Sequence, residues 1–174
     1  MSFVTGPDGA QSREAVFEQL VAQYQTALKR MCCLYLRDQT LAEDAVQETF
    51  IKAWRGMERF RGDCSEKTWL MQIAVNTCRD MNSSGWLRFM ERRFTPEDLP
   101  EPIAPTEEKE EELVNAILRL PLRLREVTLL YYYQGMTSQE AAQALGIRQS
   151  SVSGRLKRAR EKLRIYLEER ETDG

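Results

Sequence analysis

The sequence predicts an all-α protein of two small helical domains: a helical bundle, then a helix-turn-helix domain, joined by a Pro-rich acidic linker. Three observations carry this. Apolar residues recur at steps of three and four through the long segments. Residues 95–112 hold four of the six prolines, and eight acidic residues against one Lys. Residues 137–164, TSQEAAQALGIRQSSVSGRLKRAREKLR, pair two helical stretches across Gly146.

At 174 residues and 42% hydrophobic content, the chain suits one medium domain or two small ones with modest cores. It has no apolar run near the roughly 20 residues that span a bilayer. The start, MSFVTGPDGAQSRE, lacks the basic and apolar parts of a signal peptide, so a cytoplasmic address is expected. The net charge is −2, but it is unevenly spread: residues 148–164 carry seven Lys and Arg against one Glu. There is no histidine, and two of the four cysteines, Cys32 and Cys33, are adjacent. A zinc site is not expected, nor a cofactor, and the thiols read as reduced and partly core-filling. No nucleophile motif or phosphate-cradling glycine loop is present, so the chain does not read as an enzyme.

Residues 1–12 read as an unstructured lead-in. Helix one is expected from Arg13 to Leu36, with Val16, Phe17, Leu20, Tyr24, Leu28 and Met31 on one stripe. Helix two is expected from Thr40, with Thr40 and Glu43 at capping-box spacing. Ala42, Val46, Thr49, Ala53 and Met57 form its apolar face, widened by Phe50 and Trp54. By spacing alone, the face with Asp44, Gln47, Glu48, Ile51 and Arg55 reads as solvated, although Phe50, Ile51 and Trp54 beside the charges also suit a protein partner.

Residues 60–66, FRGDCSE, form a loop in which Asp63 or Ser65 can cap helix three. That helix buries Leu70, Ile73, Ala74 and Thr77 or Cys78, with Asn76 on its polar side. By spacing alone, Phe60 and Trp69 read as core residues. Residues 85–94 read as a short amphipathic piece with Arg88, Arg92 and Arg93. The expected units are residues 13–94, a linker over 95–106, and 107–170.

The second unit opens with a helix over 107–120, acidic in its first turns. Pro121 fits the first position of the next helix. Thr137 and Glu140 form a second capping box, and Gly146 supplies a left-handed stop. Ser150 or Ser151 can cap the last helix, whose Val152, Leu156, Ala159 and Leu163 face inward. The acidic tail, YLEERETDG, is expected to fray.

The order of these pieces resembles the extracytoplasmic-function (ECF) sigma factors of bacterial RNA polymerase. LAEDAVQETFIKAW (41–54) is similar to the family's region-two helix that docks on the polymerase clamp. RFRGDCSEKTWLMQIAVN (59–76) is similar to the loop and helix that open and read the minus-10 element. LPLRLREV (120–127) and 137–164 resemble the region-four domain that reads the minus-35 element.

The resemblance implies Asp44, Gln47, Glu48 and Ile51 as polymerase contacts. It implies Phe60, Arg61, Asp63, Trp69 and Asn76 at the minus-10 strand. It places Ser153, Lys157 and Arg158 toward minus-35 base edges, and Arg155 and Arg160 on phosphate. Core polymerase, promoter DNA and an anti-sigma factor are the implied partners. A stand-alone helix-turn-helix regulator is the alternative, and it would leave 41–76 as scaffold. The chain departs from the family where Gly154 stands at a position often held by serine.

Overall fold

The computed structural model describes residues 12–83 and 108–173. The lead-in, the linker and the arginines of 85–94 lie outside the described residues. Seven α-helices run through the described residues: α1 (Arg13–Leu36), α2 (Gln39–Gly56), α3 (Glu66–Ser83), α4 (Glu108–Arg119), α5 (Leu122–Thr128), α6 (Ser138–Leu145) and α7 (Gln149–Asp173).

The first three helices pack pairwise around Leu28, Met31, Leu34, Ala42, Ala53, Leu70 and Ala74, all inaccessible to solvent. Ser12 caps α1, its hydroxyl accepting from the Ala15 amide at 3.2 Å. Arg37 ends α1 in a left-handed conformation, φ +57°.

The start of α2 differs from expectation. Its cap is Asp38, whose carboxylate accepts from the Leu41 amide at 2.9 Å. Asp38 caps as well as a threonine and lies two residues earlier, so Thr40 and Glu43 fall inside the helix. Glu43 instead pairs with Lys29 across to α1, at 3.3 Å. Cys32, Cys33 and Cys78 are free and fully buried, with Cys32 and Cys78 sulfurs 3.6 Å apart. Burial first, then neighbouring Cys32, pushes the Cys33 thiol up to about 12.

The last four helices build a second group. Pro121 caps α5 rather than opening it. After Thr128 the helix widens into a π turn over Leu129–Tyr133, with the Gln134 amide bonded to the Leu129 carbonyl at 3.0 Å. The extra residue in this turn leaves Tyr132 51% exposed between half-buried Tyr131 and Tyr133.

The α6 capping box is present: Glu140 N–H donates to Thr137 Oγ1 at 3.1 Å, and Thr137 N–H to Glu140 Oε2 at 2.8 Å. Gly146 closes α6 at φ +66°, a conformation that disfavours a Cβ. Neither serine caps α7. The Ser151 and Val152 amides both bond the Arg148 carbonyl, which places Ser150 and Ser151 in the first helical turn. The acidic tail forms the last turns of α7. α7 continues to Asp173, and Arg119 holds it, stacked 4.1 Å from Tyr166 and paired with Glu169 at 3.2 Å.

The two helix groups share one continuous core, with α3 packed against α6. Glu126 of α5, 4% exposed, lies at the centre of the junction. It accepts from Tyr35 Oη at 2.5 Å, from Arg79 Nε at 2.8 Å and from Arg79 Nη2 at 3.2 Å. Arg79 Nη1 also reaches the Leu145 carbonyl at 3.3 Å. Arg125 donates to the carbonyls of Tyr35, Leu118 and Leu120 at 2.9–3.2 Å. Gln134 donates to the Ala27 carbonyl at 3.0 Å, and Lys67 donates to the Gln134 carbonyl. Burial lowers the Arg125 guanidinium to about 10 and raises the Tyr35 phenol well above its ordinary value. The bond to Glu126 raises Arg79.

Candidate functional site

Three surfaces carry the residues singled out in the sequence. The first is the outer face of α2. Ala42, Ala45, Val46, Thr49 and Ala53 point inward, which turns Asp44, Gln47, Ile51 and Arg55 to solvent. Glu48 is half-buried and lies 3.9 Å from Lys52. Ile51 is 44% exposed, an apolar residue ringed by charge. Phe50 and Trp54 do not share this surface. Both pack on Phe17, at ring separations of 6.2 and 5.1 Å, and Arg13 covers Trp54 at 4.1 Å. This aromatic stack fixes how α2 presents its outer face.

The second surface is a cavity of about 380 Å³. Arg59, Phe60, Arg61, Asp63 and Cys64 line it from the loop, Trp69 and Gln72 from α3, and Gln143 from α6. A short 3₁₀ turn, Met57–Arg59, delivers Phe60, and Gly62 turns the loop at φ +78°. Ser65 caps α3, accepting from the Thr68 amide at 3.1 Å. Phe60 and Trp69 are half-buried, with rings 5.1 Å apart and inclined at 45°. Trp69 packs against the main core, as the spacing suggested, but only in part. One side of each ring is packed and the other borders the cavity.

Four of the five residues expected here come together: Phe60, Arg61, Asp63 and Trp69. Asn76 does not join them. It is exposed on α3, seven residues beyond Trp69 and outside the cavity lining. Gln72 takes the nearer place, three residues from Trp69 and so on the same helix face. That spacing was visible in the sequence. Gln143 was not, because it reaches the cavity only through the packing of α6 on α3.

The third surface is α7. Val152, Leu156 and Ala159 are buried, and Ser153, Lys157 and Arg160 are exposed along one side. Their spacing of four and three aligns them in a single row. Arg158 is exposed and Arg155 half-buried on the other flank, where Arg158 Nε contacts the Gly154 carbonyl at 3.4 Å. The Gln149 amide donates to Ser138 Oγ at 2.9 Å and joins the start of α7 to the start of α6.

Gly154 has open space where a Cβ would stand. Gly154→Ala is therefore expected to stabilise the chain by about 0.5–1 kcal/mol, read as a higher Tm in thermal denaturation. A lower Tm would show that the glycine has a packing role.

Family comparisons address the same segments. Residues 20–94 match the model described as sigma-70 region 2, and residues 110–163 match sigma-70, region 4. The RNA polymerase sigma factor NccH of Alcaligenes xylosoxydans xylosoxydans is 31% identical, covering 91% of this chain and 90% of that protein. The ECF RNA polymerase sigma-E factor of Haemophilus influenzae is 29% identical, over 87% of each chain. Among solved structures, CnrH in complex with the cytosolic domain of CnrY superposes with a TM-score of 0.70. It is 32% identical, over 89% of each chain.

The match over 20–94 is decisive between the two readings of the sequence, because a stand-alone helix-turn-helix regulator has no use for a region-2 domain. The chain belongs to the ECF sigma factors, the promoter-specificity subunits that direct RNA polymerase to start transcription.

Proposed function

We propose that the three surfaces divide the work of promoter recognition. Residues 13–94 bind the polymerase clamp and read the minus-10 element, 95–106 act as linker, and 107–170 read the minus-35 element. Asp44, Gln47, Glu48 and Ile51 contact core polymerase. The cavity between Phe60 and Trp69, with Arg61 and Asp63, takes an unstacked minus-10 base. Flipping a base costs a few kcal/mol, and a preformed aromatic site offsets that cost. Asn76, exposed further along α3, meets the strand beyond the captured base. The row Ser153, Lys157 and Arg160 enters the major groove, and Arg155 and Arg158 lie on its flank. In this arrangement Arg160 approaches bases and Arg158 approaches phosphate, an exchange of the roles the resemblance implied.

The chain itself performs no catalysis, which belongs to core polymerase. Among the described residues no helix is long and apolar enough to cross a membrane. A cytoplasmic protein held by an anti-sigma factor fits this picture, as does the relative CnrH bound to a cytosolic domain of CnrY.

The observation that carries the reading is the exposed basic row on α7 in a chain of net charge −2. Duplex affinity is therefore expected to fall steeply as salt rises from about 50 to 200 mM. Arg158→Ala should lower the slope of log K against log salt by about 1 and weaken all sequences alike. Lys157→Ala should instead relax preference at one base pair, by about 1–3 kcal/mol. Salt-independent binding, or identical effects of the two variants, would contradict the assignment.

A further inference from the structure

We propose that Gln72 sets which base the minus-10 cavity accepts, by pairing with the hydrogen-bonding edge of the base that stacks on Trp69. The proposal rests on the base-pocket reading given above and adds to it the group that discriminates.

Aromatic stacking tolerates any sequence, because every base has a face. Phe60 and Trp69 can therefore hold a base without choosing it. Choice needs a donor or acceptor at the edge, and a base out of the stack presents its whole pairing edge. Beyond the two rings, the cavity is lined by Arg59, Arg61, Asp63, Cys64, Gln72 and Gln143. The first four come from the loop, and a loop holds a group less precisely than a helix does. The two arginines also carry the charge that suits phosphate, a contact that positions without specifying. The Cys64 thiol is a weak donor. Gln143 belongs to α6, so its place beside the rings depends on packing between separate helices.

Gln72 differs in three respects. It stands on α3, the same helix as Trp69, three residues further along. At about 1.5 Å of rise per residue, the two residues sit roughly 4.5 Å apart along the helix axis and on one face. A base lying on the Trp69 ring brings its edge within reach of the Gln72 amide. Second, the side chain is exposed, and no described residue hydrogen-bonds its amide. Pairing with a base therefore breaks no bond within the chain. Third, the amide offers an acceptor oxygen beside an NH2 donor, the combination that pairs bidentately with a base edge.

The test uses the full chain with core polymerase on promoters randomised through the minus-10 element, and reads the base preference at each position from the transcripts. Gln72→Met keeps the length of the side chain and removes its hydrogen bonds. It is expected to flatten the preference at one position by about 5- to 150-fold, the range of one bidentate pair, and to leave the other positions as they are. Gln72→Glu replaces the donor with a second acceptor. It is expected to raise guanine over thymine at that same position by about 10-fold or more. Guanine offers N1–H and N2–H2 side by side, whereas thymine offers N3–H between two carbonyl oxygens. A preference is a ratio within one protein, so a partial loss of folded material does not move it.

Unaltered preferences in both variants would overturn the proposal, and so would a change spread evenly over the whole element. Trp69→Ala separates this inference from the reading beneath it. If Trp69→Ala lowers output for all bases alike while the Gln72 variants select as the unaltered chain does, only the role of Gln72 fails. If Trp69→Ala leaves output unchanged, the base-pocket reading fails.

Discussion

Trp69→Ala is expected to slow promoter opening by roughly 5- to 150-fold, the equivalent of about 1–3 kcal/mol of base stacking. The argument comes from where the ring sits. Trp69 is held against Phe60 at 5.1 Å, its ring inclined at 45°, and borders the cavity on its other side. It therefore offers a stacking surface without having to move. Trp69→Phe should keep much of the rate, since every base has a face and a smaller ring still stacks. Asn76→Ala should act less strongly, because Asn76 lies outside the cavity lining. Permanganate footprinting of the melted strand reads these effects directly. A Trp69→Ala protein that opens promoters at the unaltered rate would remove the cavity from the mechanism.

Ile51→Glu is expected to weaken binding to core polymerase by about 30-fold or more, the size of an interface hot spot near 2 kcal/mol. Ile51 is 44% exposed at the centre of a charged face, between Asp44 and Gln47 on one side and Arg55 on the other. An apolar residue enclosed by a polar rim is the arrangement of a protein interface. The folded state should suffer little, because Ile51 is exposed and lies outside the buried core. Equal Tm with reduced affinity is the expected pair of results, from thermal denaturation and a fluorescence titration with core enzyme. Reduced Tm would assign Ile51 to the fold instead.

The sequence made the helices legible wherever one periodic stripe met one capping signal. α1 falls on its expected bounds because Ser12 precedes an unbroken stripe from Val16 to Leu34. The α6 capping box was readable because Thr137, unlike its neighbour Ser138, has a glutamate three residues on. The start of α2 was misjudged because two caps, Asp38 and Thr40, lie two residues apart and only three-dimensional packing selects between them. The π turn at Leu129–Tyr133 has no sequence signature, since five apolar residues in a row satisfy any helical period. The contact of the tail with Arg119 had no local signal, because it joins residues 50 apart.

The site was legible in the same uneven way. Loop residues of the cavity could be read from a contiguous motif, since chain neighbours stay together. Asn76 and Gln72 lie on one helix four residues apart, and motif position alone favoured the wrong one for the cavity lining. Gln143 and the Glu126 junction depend on contacts between segments 47 to 91 residues apart. No local pattern encodes them. Glu126 is the instructive case. A glutamate in a basic and apolar helix reads as a solvent residue, yet it is 4% exposed because Tyr35 and Arg79 satisfy its oxygens.

Run-off transcription with purified core polymerase on a promoter library tests the central claim most directly. The unaltered chain is expected to select promoters that share two elements at a fixed spacing. Lys157→Ala should relax the upstream element, and Trp69→Ala should reduce output from the downstream one. Transcripts that do not depend on the added chain, or a selected sequence with a single element, would contradict a two-point grip on the promoter.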